Sequence, residues 1–463
     1  MTADELVFAA AHELVSRVRS GELSAREITE VHLARLQHLQ PRVNCFIEVL
    51  SDRAVEQARA IDDDAAARRP LGPLAGVPVG IKDIVDVAGA TTTAGSHHRF
   101  HHKATSDAAL TARLRAAGAV FIGKTSLHEF AYGVTNNNAH YGPTRNAWDL
   151  TRIPGGSSGG SAVAVSAGLC AGAVGTDTGG SIRIPASLCG VVGIKPTYGR
   201  VPVDGVVPLS WSLDHAGPLA RTVRDAALFL DVMAGTDGAE AFSRALVGSG
   251  TLDGIRVGVP RPFFWERLDA DVAGLAEDAV QVLQHLGGEV VECEVPYASY
   301  AGAAAAVVMS AEATAFHKDR LRTHPEAYGD DVRTRLERGL FLTATDYVSA
   351  LRARRFLRRE FTRAFETVDV LVMPTTQVPA SPIEEDPETA PGASLAMSVQ
   401  LTRFTNPFNT TGLPALSVPC GFTRGDLPAG LQIAGPAGAD AMVLRVGDAY
   451  ERAAGWTSRR PRI

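Results

Sequence analysis

Apolar positions along this chain recur with helical spacing in some stretches and bunch into short runs in others. Ser24 followed by Glu27 forms a capping box, and the helix it opens runs toward Pro41 with Ile28, Val31 and Leu36 on its apolar side. The segment up to about residue 60 reads as helices, and the acidic, Pro- and Gly-containing stretch 61–76 as a surface connection. A short apolar run, GVPVGIKDIV, occupies 76–85; a helix is predicted over Ala108–Ala117 and a strand over Ala119–Ile122. IRVGVP (255–260) and VDVLVM (368–373) are further strand candidates. Ser161–Ala173 reads as a close-packed core helix, and AGAAAAVVMSAEATAF (301–316) as an alanine-rich helix of little bulk. Strand runs alternating with helical stretches predict an α/β fold around a large sheet. No repeat, low-complexity tail or linker divides the chain.

Charge narrows the function. With 45 basic against 51 acidic residues the net charge is −6, which gives no reason to expect nucleic acid. The arginine-rich run 352–359 is expected to be the wet face of a helix whose Leu357, Phe361 and Phe365 face inward. No stretch reaches the roughly 18 apolar residues of a membrane span, and no signal peptide is apparent, so a cytoplasmic location is expected. The five cysteines are scattered, without a CxxC pair, which argues against a zinc site or disulfide framework. The tract His97–His102 lacks a completing carboxylate or cysteine and reads as an exposed loop.

Between 154 and 200 the composition changes: twelve glycines mix with serines and small apolar residues. Glycine-rich loops at both ends of this run carry serines, at GGSSGG and GTDTGGS. GGSSGG satisfies the GxSxG pattern around Ser157 and Ser158, but no histidine follows His324, and neither His215 nor His285 sits in an evident motif. Gly118–Thr125 matches a phosphate-loop spacing, yet a helix precedes Gly118 and the middle residues are the predicted strand. A desolvated lysine is the remaining base for an active serine. Only five lysines are present, and Lys82, Lys124 and Lys195 all have apolar neighbours; local sequence does not choose among them.

The run GGSSGGSAVAVSAGLCAGAVGTDTGGSIRIPASLCGVVGIKPTYGR resembles the signature of the amidase signature family almost throughout. GVPVGIKDIVDVAGATTTAGS, GKTSLHEFAYG, LDHAGPLARTV and FTNPFNTTGLPALSVPCGF extend the resemblance over roughly the whole chain. It implies a large mixed, twisted sheet flanked by helices on both faces, within one amidase domain spanning 1–463. Within that domain the signature core would occupy about 70–225 and a variable, substrate-side region about 295–345. It further implies cleavage of amide-type C–N bonds, with ureas, carbamates and aryl esters as related substrates. Carried over residue by residue, Ser181 matches the nucleophile, Ser157 the bridging serine that follows a cis peptide, and Lys82 the general base. The backbone N–H groups of Thr178, Gly179, Gly180 and Ser181 match the oxyanion hole. Ser158, Asp177 and Arg183 would support this centre, and Tyr132 and Gly133 fall where the family lines its acyl pocket. No metal or organic cofactor is implied. The expected partner is a small-molecule substrate, without nucleic acid or membrane, and a homodimer is an open assembly. The alternative is a glutamine-hydrolysing subunit of a tRNA-dependent amidotransferase. That reading would place a carboxylate just before the FTNP segment, where this chain has Thr402 and Arg403.

Overall fold

The computed structural model describes residues 1–237, 241–248, 250–383 and 393–463. Its centre is an 11-stranded mixed sheet. In chain order the strands are β1 (Phe46–Val49), β2 (Pro78–Lys82), β3 (Val120–Thr125), β4 (Gly172–Asp177), β5 (Val192–Lys195) and β6 (His215–Ala220). They continue as β7 (Arg256–Pro260), β8 (Glu289–Cys293), β9 (Val370–Pro374), β10 (Ala415–Phe422) and β11 (Pro428–Ala434). Across the sheet the order is β1-β3-β2-β4-β6-β5-β10-β11-β9-β7-β8. β2 runs parallel to β3 and β4, and β7 parallel to β8 and β9, whereas the centre is antiparallel.

Successive side chains of a strand point to opposite faces, and two core clusters divide along that rule. Phe121 joins one cluster with helix Val223–Ala234, while Val120 and Ile122 join another with helix Gly159–Ser166. Val174 and Ala173 of β4 separate in the same way. The apolar run at 76–85 holds β2, the predicted strands at 119–122, 255–260 and 368–373 are β3, β7 and β9, and the capping box at Ser24 opens helix Ala25–Val43.

Four local expectations are corrected. Stretch 61–76 is not all connection: helix Ser51–Ala66 covers its first six residues, where Ala65 and Ala66 favour helix. Asp62 there accepts from the N–H groups of Ala25 and Arg26, two unbonded donors at the start of the neighbouring helix. The helix expected over Ser161–Ala173 spans only Gly159–Ser166, because Gly168 turns the chain at φ +69° and β4 begins at Gly172. All eight of its residues are buried, and a methyl group at Gly160 would stand 2.4 Å from the Ser126 carbonyl oxygen, so this contact requires glycine. The histidine tract is exposed at His98 and His102, as expected, but is anchored by Phe100, buried against Phe130 and Tyr328. Arg354 leaves the wet face of its helix, Ala344–Ala364, to donate to the carbonyls of Thr410 and Ser212.

Candidate active site

β2 ends at Lys82, whose side chain is fully buried. Its Nζ lies within hydrogen-bond distance of three hydroxyls: Ser157 Oγ at 2.8 Å, Ser158 Oγ at 2.9 Å and Thr176 Oγ1 at 2.7 Å. Burial pushes its pKa down to about 7, against the pull of the Asp177 and Asp214 carboxylates, neither of which touches it. The other two candidate lysines are also fully buried but differently engaged. Lys124 pairs with Asp83 at 2.8 Å, and Lys195 donates to the Pro196 carbonyl at 3.0 Å. Among the described residues, Lys82 is thus the buried lysine whose nitrogen meets only hydroxyls.

The two serine loops meet around it. Ser157 follows the cis Gly156–Ser157 peptide bond, and its carbonyl accepts from His128 N at 3.3 Å. Ser158 N donates to the Ser181 carbonyl at 3.1 Å, joining the loops directly. Ser158 Oγ donates to the Thr176 carbonyl at 3.1 Å.

Ser181 lies in the turn between β4 and helix Arg183–Cys189. Gly180 has φ +137°, a conformation that favours glycine, and packs against Thr405. The turn is held from three sides. Thr178 Oγ1 donates to Asp214 Oδ1 at 2.6 Å, Thr405 Oγ1 donates to the Gly179 carbonyl at 2.6 Å, and Ile182 N donates to Asp177 Oδ2 at 3.1 Å. Beneath it Asp177 and Arg183 form a fully buried pair at 2.9 Å. Burial alone would raise the Asp177 pKa, but the Arg183 guanidinium overrides it and holds the carboxyl well below the usual range. Arg183 also donates to Gln432 Oε1 at 2.7 Å and Asn409 Oδ1 at 2.6 Å, and Asn409 Nδ2 returns a bond to Asp177. His215 is buried behind the turn, its Nδ1 at 2.6 Å from the Leu213 carbonyl, and burial drives its pKa well down.

Thr178, Gly179 and Ser181 open onto a cavity of about 890 Å³. Tyr132 and Gly133 line it; Tyr132 OH shares a 2.9 Å hydrogen bond with Ser310 Oγ. Helix Ala301–Thr323 supplies Gly302, Ala303, Ala306 and Met309 to one wall, while Ala301, Ala304 and Ala305 of the same run are buried in the core. Helix Asp330–Gly339 adds Asp331 and Arg335, which pair with each other at 2.6 Å. Lys82 and Ser157 lie below this surface, fully buried.

Phe263, Arg403 and Asn406 also line the cavity, and sequence reasoning did not assign them there. Arg403 stacks on Phe263 at 4.3 Å and pairs with Glu266 at 2.9 Å. The arginine before FTNP was noticed for its charge, but nothing local tied it to Phe263. Among the described residues no group of three or more His, Cys, Asp or Glu could hold a metal, and no helix is long and apolar enough to cross a membrane.

The sheet, the two joined serine loops and the cavity above them define a hydrolase of the amidase signature type. A family model described as amidase matches residues 27–444, and the chain belongs to that family. One relative, from Roseiflexus castenholzii, is named as the A component of glutamyl-tRNA(Gln) amidotransferase; it is 41% identical, covering 99% of this chain and 98% of its own. An amidase from Pseudomonas putida is 42% identical, with 97% of each chain covered. A solved structure from a vestigial protein complex, reported as revealing the origins of an s-triazine catabolic enzyme, superposes with a TM-score of 0.89. It is 34% identical over 98% of this chain and all of that one.

Proposed function

We propose that this chain hydrolyses amide-type C–N bonds of a small molecule by acyl transfer through Ser181. One observation carries the reading: a fully buried lysine, with its pKa near 7, contacts Ser157 at 2.8 Å and no carboxylate. A neutral amine has two N–H donors and one lone pair, so one of the three hydroxyls around Lys82 must donate to it. Ser158 already directs its proton to the Thr176 carbonyl. That leaves Ser157 or Thr176 to donate, and Ser157 lies in the loop bonded to Ser181.

In this reading Ser181 Oγ attacks the substrate carbonyl carbon. Its proton passes to Ser157, whose own proton moves to Lys82. The N–H groups of Thr178, Gly179, Gly180 and Ser181 receive the negative oxygen of the tetrahedral intermediate. The proton then returns through Ser157 to the leaving nitrogen, which is a poor leaving group until protonated. Water hydrolyses the acyl-enzyme by the same relay. Ser158 and the Asp177–Arg183 pair hold the geometry. Ureas, carbamates and aryl esters are accommodated by the same steps.

Fluorophosphonate labelling tests the assignment. Label located on Ser181 by mass spectrometry and lost in Lys82→Ala supports it; label on Ser157 or Ser158, or label indifferent to Lys82, overturns it.

The name of the Roseiflexus relative supports a second reading, a glutamine-hydrolysing subunit that works with a partner. Against it, Thr402 and Arg403 stand where that reading calls for a carboxylate, and both line the cavity. Ammonia release from L-glutamine faster than from aliphatic amides by the purified chain would favour the second reading.

A further inference from the structure

We propose that Asn406 is a specificity-determining residue that selects acyl groups carrying an amide- or urea-type function beside the reacting carbonyl. The inference rests on the reading of Ser181 as nucleophile and adds the substrate class. Asn406 is the first residue of helix Asn406–Thr411, and the preceding Thr405 is tied to the Gly179 carbonyl at 2.6 Å. That bond fixes Asn406 against the nucleophile turn. A methyl group added at Gly179 would stand 2.8 Å from Asn406 Oδ1, and one added at Gly302 would stand 3.7 Å from Nδ2. The carboxamide therefore spans from the nucleophile turn to the cavity wall, within the volume an acyl group must enter.

Other polar side chains that line the cavity have partners of their own. Tyr132 bonds Ser310, Thr402 Oγ1 donates to the Ser398 carbonyl, and Thr178 donates to Asp214. Among the described residues no group is bonded to the Asn406 carboxamide, although it lines the cavity. A carboxamide offers two N–H donors and one acceptor oxygen. A peptide or urea unit presents an N–H and a carbonyl together and matches both. A hydrocarbon chain of the same shape displaces water from the carboxamide without replacing its hydrogen bonds, so it is disfavoured.

The test compares two 4-nitroanilides of nearly equal shape, those of N-acetylglycine and of 4-methylpentanoic acid. The wild-type chain is expected to favour the N-acetylglycine substrate by about tenfold or more in kcat/KM, the scale of one lost hydrogen bond. Asn406→Leu is expected to bring that ratio close to one, with Ser181 still labelled by an alkyl fluorophosphonate. A wild-type ratio of one or below, or a ratio preserved in Asn406→Leu, overturns the inference while labelled Ser181 leaves the nucleophile reading standing. If Asn406→Leu does not fold, Asn406→Asp keeps the shape and removes the donors; a lowered ratio supports the inference and an unchanged one overturns it. A wild-type chain that takes no label and cleaves neither anilide overturns the Ser181 reading and this inference with it.

Discussion

Below Ser181, the polar groups of Lys82, Asp177 and Arg183 are buried and engaged by named partners. Above it, the cavity wall that helix Ala301–Thr323 supplies is mostly glycine, alanine and methionine, and the Asn406 carboxamide is bonded to no described group. Below the turn the Lys82, Asp177 and Arg183 groups are each held by specific partners, so displacing one leaves another unpaired. The upper wall is built by absence of bulk, and several sequences could leave the same space. In the proposed reading, reaction chemistry is therefore expected to respond to single atoms below Ser181, and selectivity to changes of volume and hydrogen bonding above it.

The largest effects should come from below. Ser181→Ala and Lys82→Met are each expected to lower kcat by about 10⁴-fold or more, as loss of a nucleophile or base does in serine hydrolases. Single-turnover rates with one activated anilide check this, and a loss under about tenfold would separate either residue from the chemistry. Next comes Asp177→Asn, which leaves the Arg183 guanidinium buried without a counter-charge. Breaking such a pair costs about 3–5 kcal/mol, to be read from urea unfolding. An unfolding midpoint equal to wild type would show that Arg183 is held by Gln432 and Asn409 alone.

The pH profile has a smaller effect and a definite sign. Burial lowers Lys82 from its ordinary 10.5 to about 7, and the neutral amine is the proton acceptor in the proposed relay. The rate should rise with pH, falling off about tenfold per unit below 7 and levelling above it. Between about 7 and 10.5 the unfolded lysine holds a proton that the folded one lacks. The contribution of this site to stability is therefore complete above 10.5 and lost as pH falls through that window. A rate that is flat or declines from pH 6 to 9 would remove Lys82 as the base.

The same contrast explains what the sequence disclosed. Three of the eleven strands, β3, β7 and β9, were legible because short apolar runs bounded by turn residues have few other uses. The two serine loops, which the fold joins through Ser158 and Ser181, stood out in sequence because their glycines lie within a stretch almost free of charge, in a run that resembles a known family. The choice among three lysines was not, and strand register is the reason. Lys82 and Asp83 are adjacent in sequence, which invites pairing them. Side chains alternate along β2, and β3 lies alongside with Ile81 opposite Lys124 and Lys82 opposite Thr125. Asp83 consequently meets Lys124, and Lys82 is left to the serines. Arg354 and Gly168 were misjudged for a related reason: one is claimed by carbonyls from distant segments, and the other is a helix stop inside an otherwise helical composition. Phe263, Arg403 and Asn406 meet only through the tertiary fold, so no local pattern joins them.

The smallest predicted effect belongs to the upper wall. Ala306 faces the cavity from helix Ala301–Thr323, next to Met309, which lies 3.5 Å from where a methyl group on Gly179 would stand. Ala306→Leu adds three carbon atoms to that space and should exclude a large acyl group before a small one. The ratio of kcat/KM for a bulky anilide to that for a small aliphatic amide is expected to fall about tenfold, within the range that one to two methylenes command in an apolar pocket. The absolute rates matter less than their ratio, because a general disturbance of the helix would lower both. A wild-type chain that cleaves small amides but no bulky anilide would mean that the space along this helix is not acyl space. A ratio unmoved by Ala306→Leu would place the acyl group against the Tyr132 side of the cavity instead.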